Sequence, residues 1–166
     1  MALFRRRAQL PEPVAAHLPD GDQPLVSAPL ANGPWVVVAR NALLVVGEEG
    51  LAQRAAWHEI ETGTWDGETR TFTIIWADRE RGEESLVFDS DDVALFTSAL
   101  RERVQASVVH HETIQIGSTR VRATVRRRED ESMYSLITAF GPLPDSPEVE
   151  RELDALESRV REAVGL

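Results

Sequence analysis

Between residues 25 and 88 the chain breaks into seven short apolar segments joined by tight polar connections, with no room for a helix between them. The segments are 25–30, 35–40, 43–46, 52–57, 60–65, 70–76 and 85–88. Asn32-Gly33 is the strongest short hairpin signal. Gly47-Glu48-Glu49-Gly50 and Asp66-Gly67-Glu68-Thr69 read as further turns. Parallel neighbours need a crossover of a dozen or so residues. The sheet is therefore expected to be antiparallel, and a βαβ nucleotide-binding fold is not expected.

A helix follows. Asp89 or Ser90 is placed to cap it, with Asp91 and Asp92 in the first turn, where the helix dipole favours negative charge. Val93, Phe96, Leu100, Val104 and Val108 recur at helical spacing, and the helix is expected to end near residues 109–111. Beyond it, segments 113–116, 120–128 and 133–140 read as a three-strand meander with turns at Gly117-Ser118 and Glu129-Asp130-Glu131. The last helix has Ser146 as cap and Pro147 at its first position, with an apolar stripe of Val149, Leu153, Leu156, Val160 and Val164. Gly165 ends it. Upstream, Pro11, Pro13, Pro19 and Pro24 limit the first segment to a short helical turn around residues 14–18. The expected organisation is α+β: an N-terminal segment (1–23), a strand-rich domain with its closing helix (24–111), and a strand-helix extension packed on it (112–166).

Composition narrows the function. The 166 residues suffice for one ordinary domain, or a small domain with an extension. Without cysteine there are no disulfides and no thiolate metal sites, which fits a reducing cytoplasm. A formal charge of −10 repels nucleic acid and anionic membrane at long range, so either partner needs a local basic patch. Every basic residue apart from histidine is arginine. Leu3, Phe4, Arg5, Arg6 and Arg7 form a basic start without the apolar run of a secretory signal. A solvated terminus is expected there, with touching of an anionic membrane as the alternative. No stretch approaches the roughly 18 apolar residues of a membrane helix.

The runs WVVVARNALLVV (35–46), WHEIETGTWDGETRTFTIIW (57–76), LVFD (86–89) and DDVALFTSALRERV (91–104) resemble, in order and spacing, the bacterial pleckstrin-homology-like (PH-like) domains. The resemblance covers residues from about 25 to 110. It implies a PH-like antiparallel barrel of about seven strands closed by an amphipathic helix. Such barrels bind phosphoinositides, peptides or proteins, so the resemblance implies a scaffold rather than a reaction. The early loops are neutral or acidic, unlike the basic loop of lipid-binding members.

No catalytic or cofactor motif emerges. A zinc-binding His-Glu-x-x-His needs its second histidine one turn on, so that both share a helix face. His58-Glu59 meets Thr62 there, and His111-Glu112 meets Gln115. His17 and the His110-His111 pair offer no metal-ligand spacing. A phosphate loop is impossible without lysine, and Asp89-Ser90-Asp91-Asp92 lacks the glycine and distal glutamate of a calcium loop. No cofactor and no nucleic-acid partner are expected.

Two binding features remain. Arg120, Arg122, Arg126 and Arg128 alternate at period two and are expected to share one sheet face, opposite Val121, Ala123 and Val125. Arginine forks grip phosphate or carboxylate. A solvated face, or one neutralised by the acidic last helix (Glu148, Glu150, Glu152, Asp154, Glu157), is the plainer alternative. Trp57 and Trp65 lie near turns and are candidate exposed anchors for a protein partner. The expectation is a non-enzymatic, cytoplasmic module that binds another protein. The alternatives are peripheral membrane or anionic-ligand binding through the arginine face, at the inner face of the membrane, and an enzyme of unrecognised type.

Overall fold

The computed structural model describes residues 9–166. Leu3, Phe4, Arg5, Arg6 and Arg7 lie outside the described residues. The protein is α+β, its strands form three antiparallel sheets, and the chain divides into two compact units at residues 105/106.

The first unit opens with one helical turn, α1 (Glu12–Ala15). A meander follows, with β1 (Pro24–Pro29), β2 (Trp35–Ala39), β3 (Ala42–Gly47) and β4 (Gly50–Ala56) paired in chain order. A 3-10 turn at Trp57–Glu59 leads into the second sheet, β5 (Ile60–Asp66), β6 (Thr71–Trp76) and β7 (Glu83–Val87). The continuous apolar run of β2 and β3 is explained by burial on both sheet faces. Val36, Val38 and Leu43 face a core shared with Trp57, Trp76 and Phe96. Val37, Ala39, Ala42, Leu44 and Val46 face the proline-rich N-terminal segment, which covers them with Leu10, Val14 and Leu18. Asp22 of that segment is buried and receives a two-pronged hydrogen bond from Arg54 (2.8 and 3.1 Å).

Among the described residues no closed barrel is found. Pairing stops between β4 and β5, and the two sheets meet at the bridge between Leu30 and Phe88. Helix α2 (Ala94–Ser107) delivers Phe96, Leu100 and Val104 to the core. Phe96 packs edge-on against Phe72 and Phe88, with ring centroids 5.3 and 5.0 Å apart.

Both ends of α2 differ from expectation. Ser90 caps a bend, accepting from the Asp92 N–H, and the first helical bond runs from Thr97 N–H to the Val93 carbonyl. Asp91 and Asp92 therefore precede the helix. At the other end Val108 is already strand, paired with Arg126. Two successive β-branched residues, Val108 and Val109, favour extended backbone where a ladder partner is available.

The second unit is a three-stranded sheet, β8 (Val108–Ile116), β9 (Thr119–Arg127) and β10 (Met133–Ala139), with β9 central. Helix α3 (Pro147–Val164) begins as expected: Ser146 Oγ accepts from Val149 N–H, and Gly165 ends the helix at φ +78°. Val149, Leu156 and Val160 of α3 pack on Val121, Ala123 and Val125.

Candidate functional site

One face of β9 is taken by α3, so the alternate residues point to the other face. Those are Arg120, Arg122, Thr124 and Arg126. The register brings Gln115 and Thr113 of β8 beside Arg120 and Arg122, and Thr138 of β10 beside Arg122. Phe140 lies one step beyond β10, and its N–H donates to the Arg120 carbonyl at 2.9 Å. Its ring is thereby set beside both guanidinium groups, whose central carbons lie 4.7 Å (Arg120) and 5.6 Å (Arg122) from the ring centroid.

This corner is the candidate site. Phe140 is 38% exposed, Arg120 is exposed and Arg122 half-buried. A cation over an aromatic ring gains from the ring quadrupole and loses rotamer freedom. Stacking occupies one face of a guanidinium and leaves its edge, where the N–H donors lie, for a carboxylate or phosphate. Arg122 Nε is buried and has no hydrogen-bond partner among the described residues.

The four arginines do not form one patch. Arg126 is only 1% exposed, so it is removed from the expected exposed face. Arg128 lies beyond β9, eight residues from Arg120, or ~27 Å along an extended strand. It stacks on Tyr134 at 4.2 Å and donates to Ser132 Oγ at 3.3 Å. The acidic helix does not cover the Arg120–Arg122 corner either, because α3 lies on the opposite sheet face. Glu157 accepts from Ser135 Oγ, and Glu148 pairs with Arg151 at 3.7 Å. On the same side Glu112 takes Arg159 at 3.1 Å.

The expectation for Trp57 is corrected. Trp57 is 6% exposed, and its Nε1 donates to the carbonyls of Ala39 and Arg40 at 3.1 and 3.2 Å. It is a core residue tying the turn after β4 to the β2–β3 connection. Trp65 is half-buried, edge-on to Phe88 at 5.4 Å. Trp57 is therefore not exposed, whereas Trp65 keeps part of its surface open, as expected. The exposed aromatic side chain beside the arginines is Phe140. Its one sequence signal was position: it continues the period-two set Leu136, Thr138 on the face that meets the arginines.

Two carboxyls held below their usual range lie in turns, Asp66 in the first unit and Asp130 in the second. The backbone N–H of Glu68 and the side chain of Thr69 lower Asp66, and the Ser132 hydroxyl and N–H lower Asp130. Among the described residues no three His, Asp or Glu side chains are grouped to hold a metal ion, and no helix is long and apolar enough to cross a membrane. Compared with family models, curated proteins and solved structures, the chain matches none of them.

Proposed function

We propose that the protein is a non-enzymatic, cytoplasmic binding module whose Arg120–Arg122–Phe140 corner docks a carboxylate-rich segment of a partner protein. The observation that carries this is the pair of guanidinium groups held over one exposed phenyl ring. Arginine and aromatic side chains are the types enriched where proteins bind each other most tightly. A carboxylate meets the arginine edges, and a neighbouring apolar side chain of the partner covers Phe140. Such a partner also explains how a chain of charge −10 engages acid: the attraction is local, and longer-range repulsion is screened beyond ~10 Å at ordinary salt.

The first unit is, in this reading, a PH-like domain. Its support is the sequence of seven antiparallel strands followed by a helix that closes on Trp76, Phe72 and Phe88, with the Leu30–Phe88 bridge joining the two sheets. Docking of the arginine corner on an anionic membrane surface is the second reading, favoured by the same two cations. The exposed phenyl ring favours protein.

The test is fluorescence anisotropy of a fluorescein-labelled glutamate-rich peptide against the full chain and its Arg120→Ser/Arg122→Ser variant. Co-sedimentation with phosphatidylglycerol vesicles is the second arm. Salt-sensitive peptide binding that the variant lacks supports the proposal. Vesicle binding without peptide binding replaces it with the membrane reading.

A further inference from the structure

We propose that the free edge of β1 accepts an extended segment of a partner protein, apolar along its length and basic at one end, as an added strand. This proposal does not rest on the arginine corner. The first unit holds a groove of about 940 Å³ lined by β1, the start of α2 and Gln9, Leu10 and Ala15 of the N-terminal segment. Leu25, Val26, Ala28, Phe88, Val93 and Leu95 give it an apolar surface. Leu25 is 39% and Leu95 51% exposed, unusual for large apolar side chains set across one groove from each other.

The backbone defines the shape of the occupant. β1 is the first strand of its sheet and is paired with β2 alone along its length. On its other side the Pro29 carbonyl accepts from Asp89 N–H at 3.1 Å. Main-chain groups on one edge of a strand repeat every second residue. Ser27 therefore presents both its N–H and its carbonyl on that same side, towards the groove. Edge strands are usually blunted by a charged side chain or an interior proline. Between Pro24 and Pro29 the residues Leu25, Val26, Ser27 and Ala28 carry neither. An extended chain laid there gains the Ser27 hydrogen bonds and sends every second side chain towards Leu95 and Phe88.

Charge sets the polarity. Asp89 and Asp91 are exposed in the bend that adjoins one end of the groove. Among the described residues no lysine or arginine lines the groove. An occupant with arginine or lysine at that end is favoured over one with acid.

The probe is a capped, fluorescein-labelled peptide of alternating Val and Thr ending in Arg-Arg, compared with one ending in Glu-Glu. Anisotropy is read on the full chain, on Ser27→Pro and on Leu95→Glu, with circular dichroism confirming that each variant is folded. Ser27→Pro removes only a donor that faces the groove, a substitution edge strands tolerate. The full chain is expected to bind the Arg-Arg peptide in preference to the Glu-Glu peptide. Ser27→Pro should weaken binding by up to about tenfold, the worth of one backbone hydrogen bond, and Leu95→Glu should weaken it as well. Equal binding by the folded Ser27→Pro variant, or no binding by the full chain, overturns the proposal. Two other occupants also overturn it. Binding that appears only after Leu3→Ser and Phe4→Ser assigns the groove to the chain's own first residues. Dimerisation of the full chain that Ser27→Pro abolishes assigns it to a second copy.

Discussion

Strands β2 and β9 are both interior in their sheets, yet they are written differently, and the difference separates a face covered along its whole length from one covered over only part of it. β2 reads WVVVA, with four of its five residues fully buried on two faces. Its second face is closed by the chain itself, through Leu10, Val14 and Leu18. β9 reads TRVRATVRR, with valine and alanine towards α3 and arginine on the other face. A strand that is apolar on both sides needs two covers. β9 has α3 on one face; on the other, Thr124 and Arg126 are buried as well, and only its Arg120–Arg122 end is left open to meet a polar partner.

The largest expected effect tests whether the N-terminal segment is a true cover. Leu44 and Leu156 are both fully buried, one on the face closed by that segment and one against the meander. Leu44→Ala and Leu156→Ala should each cost about 2–5 kcal/mol in urea unfolding. A cost for Leu44→Ala far below that of Leu156→Ala would break the comparison, since the segment would then be packing loosely.

Arg54→Ala should cost about 3 kcal/mol, because it leaves the Asp22 carboxylate buried without its two-pronged partner. Asp22→Ala should cost less, since Arg54 is one-third exposed and regains water. Equal costs would contradict that asymmetry. Gly63→Ala comes next, at about 1–3 kcal/mol. A Cβ there would lie 2.1 Å from the Phe72 ring, which is itself locked against Phe96. A neutral Gly63→Ala would show that this core has slack. The smallest effect is expected at Arg120 and Arg122, where serine should change stability by no more than about 0.5 kcal/mol each. A larger loss would make the arginines part of the fold rather than of a docking surface.

Strand positions were legible in the sequence because turn signals and apolar runs are local. The seven strands of the first unit, and β9 and β10 of the second, stand close to where the residues placed them, whereas β8 begins five residues early, at Val108. What pairs with what at long range was not legible. The break between β4 and β5 depends on which edges meet, and no residue in either strand encodes that alone. Alternation correctly put the arginines of β9 opposite Val121, Ala123 and Val125, but it says nothing about depth. Arg126 is buried although it follows the same pattern as Arg120. Trp57 was misread because proximity to a turn was taken as exposure, whereas its indole N–H is held by two carbonyls from the neighbouring β2–β3 connection. Phe140 was passed over because its importance comes from register with Arg120, a relation across 20 residues of chain.

The most direct measurement is the anisotropy titration of the labelled glutamate-rich peptide with the full chain, repeated with Arg120→Ser/Arg122→Ser and with Phe140→Ala, at low and moderate salt. Saturable binding is expected for the full chain, weaker at higher salt, lost in the double arginine variant and reduced in Phe140→Ala. Binding that survives in the double variant, or that neither salt nor Phe140→Ala affects, would contradict the arginine-aromatic corner as the docking site.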